Sequence, residues 1–526
     1  MAQKFTVNLK FKKQAHSRLL KGMNIVAEAV GTTLGPKGRN VAINNPGLPP
    51  TVIHDGVGVA KRIELTDEFE DMGAQLIKEA ALQTSVKAGD GTTTSTVLAQ
   101  AIINKSIEII TAGANPMILK SEMDNMAQKL AFMIKELSEP IKTLEEKTQV
   151  AIISAANKEI GKLVARVIHK VGSDGLITIE ESKTLDTFVE YKQGVEFDRG
   201  YYSPYFVTKP ETGEVSIDEP YILLTDIKIN HDHQIVPFLE NMIKEGIRNL
   251  VVVGEVQEQA LATLVLNKLK GNLHTVAVQA PSYGERQIHE LEDIAVLTGG
   301  AVVSMESGRT LDSVTKEELG RADKFVCDSE NSKIIGGKGD SGVIKNRVVQ
   351  LKKALEYTKS PYEKEVKKGR IARLSGTAAV IYVGAASDPE LSDRKERVDD
   401  AVHATRAAVE EGIVAGGEIT LLYMAGLDIW DDTTGSNILK EAFKTPFKRL
   451  VENAGYDYAE VLGKITPFKY PFGIDVMDGK KKDLIKAGII DPVKVTRLSL
   501  ENAISVATMA MTTDVLISEP YERREK

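Results

Sequence analysis

Residues 87–96 read "KAGDGTTTST", a poor set of helix formers standing where a helix should begin. Asp90 lies between two glycines, and three threonines follow. A branched Cβ restricts threonine inside a helix, and glycine costs more. Two explanations compete. Asp90 or a threonine could simply cap the helix, because a short polar side chain satisfies its free amides. Alternatively, something comes close to the backbone. A helix N-terminus offers unpaired N–H groups and the positive end of the helix dipole. Gly89 and Gly91 would let a phosphate approach, and the threonine hydroxyls would add donors. Asp90 would repel a bare phosphate unless Mg²⁺ lay between them, and a carboxylate with phosphate oxygens is a usual Mg²⁺ shell. The composition therefore suits a metal–nucleotide better than a free anion.

Helical patterns flank this stretch. One spans about 67–84; another runs from about Thr92 to Thr111 and stops at Gly113, with Pro116 beyond. Upstream, Phe5, Val7, Leu9 and Phe11 alternate with polar residues, predicting a strand. A helix over about 14–30 then ends at "GTTLGPKGRN". "NPGLPP" (45–50) is a turn between the strand-like runs "NVAIN" and "TVIHD". From about Gly194 to Leu374 the pattern alternates: "YILLTDIKI", "IVPFLENMIKEG", "NLVVVGE", "EQALATLVLNKLKG", "HTVAVQA". Strand–helix–strand alternation predicts a compact α/β domain. A helix over about 389–411 follows "AAVIYVGAA", and the remainder is mostly helical up to a strand-like "DVLIS".

The chain has 526 residues, enough for about three domains. A net charge of −7, from 67 basic and 74 acidic residues, argues against non-specific nucleic-acid binding. A single cysteine, Cys327, excludes an internal disulfide and fits a reducing compartment. The N-terminal segment lacks the apolar stretch of a signal peptide, and no apolar run approaches the ~18 residues of a membrane span. A cytoplasmic location with no membrane association is expected.

Other motifs carry less. "GKGDSG" (337–342) fits G-x-G-x-x-G but lacks a clear βαβ unit, so a loop is expected. "HDH" (231–233) has no companion cysteine or histidine cluster, so a helix start with Asp232 as cap is expected rather than a metal site. "TLGPKGRNV" (33–41) is either a tight turn or a backbone cradle for an anion. Asp55, after a strand, and Asp400, on a distant helix, each read alone as surface acids.

Taken together, these segments resemble the group I chaperonins, the class of GroEL and the mitochondrial 60-kDa chaperonin. The resemblance is carried by "TLGPKGRNV", "DGVGVAKRIEL", "MGAQLIKEAA", "AGDGTTTSTVLAQAII", "GANPM", "FDRGYYSPYF", "EQALATLVLN", "DIAVLTGG", "HATRAAVEEGIVAGG" and "GIIDPVKVTR", in the family's order. It implies an α+β multidomain chain with discontinuous domains. A mostly helical equatorial ATP-binding domain would comprise 1–136 and 411–526. A small α/β intermediate domain would comprise 137–193 and 376–410, and an α/β apical domain 194–375. Pro140 and Gly412 would mark the lower hinge, Gly194 and Gly376 the upper one.

The resemblance implies nucleotide contacts from Thr33, Leu34, Gly35, Pro36, His54, Asp90, Gly91, Thr92, Thr93, Thr94, Gly417, Asp475, Val476, Met477 and Asp491. Asp90 would hold Mg²⁺, K⁺ would be a second ion, and Asp55 and Asp400 would position the attacking water. An apolar apical surface of Tyr201, Tyr205, Phe206, Val236, Leu239, Leu261, Val265 and Leu266 would bind unfolded proteins and a 10-kDa-class co-chaperonin. The implied assembly is a heptameric ring, two of them stacked, that encapsulates clients for ATP-driven folding. Four departures stand out. His54 replaces a lysine, Thr377 replaces a hinge glycine, Glu418 replaces the third glycine of an "AGGG" pattern, and "ERREK" stands where the family carries a Gly-Gly-Met tail. They leave a second reading, a chaperonin-shaped holdase or scaffold with weak or no ATPase.

Overall fold

The computed structural model describes residues 8–44, 50–155, 157–172, 175–210, 212–358 and 360–518. Phe5 and Val7 of the expected first strand, the turn at 45–49 and the tail from 519 lie outside the described residues. The chain forms two compact units, residues 1–169 with 392–526, and residues 170–391. The expected middle segment is thus divided: 137–169 and 392–410 go with the first unit, 170–193 and 376–391 with the second.

The first unit is built on long helices, Lys12–Gly31, Glu68–Ala88, Thr92–Thr111, Pro116–Glu136 and Val493–Thr512. Two of these starts are fixed by side-chain caps. Asp67 accepts hydrogen bonds from the amides of Phe69 and Glu70 at 3.1 and 3.0 Å, and Asn115 caps a helix whose first residue is Pro116. Their shared core is aliphatic and alanine-rich, with Met23, Val26, Ala74, Ile77, Ala81, Leu98, Ile102 and Ala507 all buried. Small residues let the first two helices approach closely. A Cβ on Gly22 would sit 1.7 Å from the carbonyl oxygen of Glu70, and one on Gly73 2.2 Å from that of Leu19. Short antiparallel pairs complete the unit. Val41–Ile43 pairs with Thr51–Ile53, and Asn8–Phe11 with Val515–Ser518. Ile413–Ala415 pairs with Ile490–Pro492, a match the sequence pattern did not anticipate.

The second unit contains the expected α/β alternation. Val302–Val303, Tyr221–Ile229, Asn249–Val256 and His274–Val278 form a parallel sheet in that order, with Gly320–Arg321 added antiparallel to Tyr221–Ile229. Its central strands are buried along most of their length, as parallel strands covered on both faces must be. Helices Asp232–Lys244, Glu258–Leu269 and Glu285–Thr298 connect the strands. A second sheet runs Ile177–Glu181, Thr377–Val383, Phe188–Phe197, Ser332–Ile335, Lys324–Cys327, Val215–Asp218. Thr377 opens its strand opposite Gln193. Cys327 is buried there, and burial pushes its thiol well up, away from reactivity.

Two local expectations are refined. "GKGDSG" is the loop expected, and Asp340 in it caps the next helix through the amides of Gly342 and Val343. At "HDH" the capping position is His231, not Asp232. Gln234 reaches back to accept from the amides of Asn230 and His231, each at 2.9 Å, and Asp232 is already inside the helix. Among the described residues no helix is long and apolar enough to cross a membrane.

Candidate functional site

The Glu68–Ala88 helix ends at Gly89, with φ 74°, and the Thr92–Thr111 helix starts from Gly91, with φ 83°. Both values lie in the left-handed region that favours glycine. No side chain caps the second helix, so the capping explanation of this stretch is not what the structure shows. The glycines have a further reason. A Cβ on Gly89 would lie 2.0 Å from the Cβ of His403, and one on Gly91 would lie 2.4 Å from Ser499 Oγ and 2.7 Å from Val495 Cγ1. The loop is thus pressed against the helices Asp388–Glu411 and Val493–Thr512, rather than left bare only for a ligand. Ser499 Oγ also donates to the Gly91 carbonyl at 3.1 Å.

Carboxyl groups converge on this loop. Asp55 caps the short Gly56–Lys61 helix through the amides of Val57 and Gly58. Its turn lies beside Thr93, whose Oγ1 would be 2.3 Å from a Cβ on Gly56. Asp90 accepts from the Gly91 amide at 2.5 Å; burial and then repulsion from Asp55 outweigh that bond and raise its affinity for a proton. Asp400 is not the surface acid its isolated reading suggested. Burial pushes it well above the usual carboxylate range, followed by repulsion from Asp90, Asp55 and Glu396. Asp491 stands opposite Val414 in the unforeseen strand pair. Burial, then repulsion from Asp90, pushes it up to about 7. Among the described residues none of the groups acting on Asp90 or Asp491 is a cation. Like charges in a partly desolvated space demand protons or a metal ion.

Among the described residues no ready-made set of three metal-ligating side chains exists. A Mg²⁺ shell of one carboxylate, phosphate oxygens and water does not need one, and Asp90 beside uncapped helix amides fits that chemistry.

Neighbouring loops supply the remaining expected contacts. Thr33 Oγ1 lies 3.3 Å from Thr93 Oγ1. Leu34 is buried in one cluster with Ala415, Ile419, Leu450 and Val476, which brings the segments around 34, 417 and 476 together. Gly35 and Gly417 have φ of 85° and 64°; Pro36 is exposed. The Asp475 carboxylate accepts from the Met477 amide at 2.9 Å and from Lys482 Nζ at 2.6 Å, and Met477 is exposed. His54 is exposed beside Asp55.

Two acids were not singled out as site residues by the sequence. Glu396 is one helical turn before Asp400. Partial desolvation, then repulsion from the nearby Asp55 and Asp393, push it up to about 7, although its side chain keeps contact with solvent. The i, i+4 spacing on one helix was the available signal. Glu418, noted only as a departure, directs its carboxyl to the hydroxyl of Thr94.

On the second unit the expected apolar surface is only partly a surface. Phe206 and Leu239 are core residues, 0 % and 4 % exposed, because the apolar sides of their elements face the parallel sheet. Tyr201, Val236, Leu261 and Val265 are half-buried. Tyr205 and Leu266 are exposed, and so is Leu269, which extends the same helix edge. Ala260 and Leu264 form the buried face of that helix.

The model of the TCP-1/cpn60 chaperonin family matches residues 26–520. The fold is similar to that of the chaperonin gp146 from the bacteriophage EL 2 (Pseudomonas aeruginosa), crystallised in presence of ATP-BeFx. In one crystal form the TM-score is 0.70 at 20 % identity, covering 98 % of this chain and 99 % of that one. In another it is 0.64 at 20 % identity, covering 97 % and 99 %. At that identity the likeness shows the fold, and with the family match it closes the assignment: the chain belongs to the TCP-1/cpn60 chaperonin family.

Proposed function

We propose that this chain is an ATP-hydrolysing chaperonin subunit of the group I type that captures unfolded proteins and folds them in a ring cavity. The observation that carries the proposal is the convergence of Asp55 and Asp400 on Asp90, which lies between two left-handed glycines just before an uncapped helix start. The neighbours crystallised with ATP-BeFx support it.

In this reading the amides and hydroxyls of Thr92, Thr93 and Thr94 hold the phosphates, and Thr33 to Pro36, Gly417, Val476 and Met477 hold the nucleoside. Asp90 would be the protein ligand of Mg²⁺, with K⁺ as second ion, and the metal would offset phosphate charge as the terminal P–O bond breaks. Asp55 and Asp400 orient the attacking water in line with that bond, and a carboxyl with raised proton affinity suits the group that takes the water's proton. ADP and phosphate leave.

The exposed Tyr205, Leu266 and Leu269, with the half-buried Tyr201, Val236, Leu261 and Val265, form a sticky edge for unfolded chains and a 10-kDa-class co-chaperonin. Segments 137–193 and 376–410 would transmit nucleotide state as an intermediate domain. At the lower hinge Gly412 has φ 85°, and Ser138 donates to the Glu411 carbonyl at 2.5 Å, so two strands of chain cross side by side. Assembly into stacked heptameric rings and a cytoplasmic location belong to the same proposal. A second reading, a holdase with weak ATPase, is favoured by one observation, the Glu418 carboxyl inside the nucleotide loops.

The test is reactivation of a chemically unfolded reporter enzyme. Recovery that needs ATP, with Asp400→Ala capturing the reporter without releasing it, supports the folding machine. Equal recovery with and without ATP would leave the holdase.

A further inference from the structure

Residue 418 is strained for its identity. Its φ is 61° and ψ 9°, a left-handed conformation uncommon outside glycine, and it follows Gly416 and Gly417 in the loop between the strand Ile413–Ala415 and the helix Ile419–Ala425. The glutamate does not serve that helix, since it makes no side-chain cap hydrogen bond. Its carboxyl instead turns to the second segment of the site and accepts the hydroxyl of Thr94. Among the described residues the charged groups that act on it are Asp491 and Asp90, both acids.

We propose that Glu418 and the nucleotide compete for the Thr94 hydroxyl, so that Glu418 sets how tightly the site holds nucleotide. This rests on the nucleotide reading above, which gives Thr94 to the phosphates. A threonine hydroxyl has one hydrogen to donate. It cannot donate to the Glu418 carboxyl and to a phosphate oxygen at once. The two acceptors also repel each other whenever both are charged. Nucleotide entry therefore breaks the Thr94–Glu418 bond and turns the side chain away, and the affinity is lowered by the fraction of sites in which the bond is formed. Glu418 acts as a positioning residue that reserves Thr94, and it has no part in the bond-breaking step.

The test is calorimetric binding of ADP and of ATP to the full-length protein, with steady-state hydrolysis alongside. Glu418→Gly is suited to the left-handed backbone, and a thermal melt confirms that it folds. Competition requires Glu418→Gly to bind both nucleotides roughly five- to tenfold more tightly and to lower KM by a similar factor, with kcat moving less than KM. A merely structural role would shift the melt and leave KM alone. Glu418→Gln, whose amide oxygen still accepts from Thr94, keeps the competition and binds close to the wild type. In a Thr94→Ala background the gain from Glu418→Gly shrinks. Wild-type or weaker binding by a folded Glu418→Gly overturns the competition while leaving the nucleotide reading standing. If neither folded protein binds ADP or ATP at millimolar concentration, the nucleotide reading fails and the competition fails with it.

Discussion

The hydroxyl of Thr94 hydrogen-bonds the carboxyl of Glu418, 324 residues away in the chain. It ties the loop after Ala415 to the first turn of the Thr92–Thr111 helix, and it puts another acid among Asp55, Asp90, Asp400 and Asp491. The site is thus a group of carboxyls set on helix starts, on a short strand and, at Asp400, in the middle of the Asp388–Glu411 helix.

Such a group should make the stability of the folded protein depend on pH between about 5 and 8. Burial first, then Asp491, push Glu418 up to about 8 from its ordinary 4.5, and Asp491 itself rises to about 7 from 3.8. Between the ordinary and the folded values the folded chain holds protons that the unfolded chain has lost. Stability therefore falls as pH rises from about 5 to about 8 and levels off above, with a slope of at most ~1.4 kcal/mol per pH unit per group. Thermal midpoints measured from pH 5.5 to 8.5 should decline, and Glu418→Gln should flatten the decline. Parallel curves for the two proteins would show that Glu418 keeps an ordinary carboxyl.

The loop glycines act before any ligand arrives. Gly89→Ala forces a side chain onto a φ of 74° and against His403 at 2.0 Å, and it should cost about 2–4 kcal/mol. The loss should appear in urea unfolding of the protein without nucleotide. An unchanged midpoint there, with loss of nucleotide binding alone, would restore ligand approach as the sole reason for glycine.

Under the proposed function, one helix of the second unit should separate stability from client capture. Leu264 is 0 % exposed and Leu266 is 53 % exposed. Leu264→Ser should destabilise the unit by about 3 kcal/mol or more. Leu266→Ser should leave stability within about 0.5 kcal/mol and lower the amount of unfolded protein held in a pull-down. Full capture by a folded Leu266→Ser would remove this edge from the client surface.

Much of this was legible locally. The start of the Thr92–Thr111 helix is announced by Gly91 and its end by Gly113 and Pro116, because breakers act on their own residues. The strand–helix alternation from Tyr221 to Val278 is legible because each apolar run is buried on both faces. What escaped reading depends on distant contacts. The resemblance put Asp491 with Asp90, but the pairing of Ile413–Ala415 with Ile490–Pro492 that positions it was not legible, because three-residue strands carry little pattern. Phe206 and Leu239 came to the client surface only through the resemblance, and the sequence could not correct it, because an apolar residue reads alike whether it faces the core or a client. The tight fit of Gly89 on His403 needs two segments more than 300 residues apart, so the glycine was legible and its packing was not.

The most direct test of the central claim is steady-state ATP hydrolysis with Mg²⁺ by the wild-type protein and by Asp400→Ala. The account requires measurable turnover in the wild type and a loss of about 10²- to 10⁴-fold in the variant, with nucleotide binding retained. Equal rates in the two proteins would contradict it.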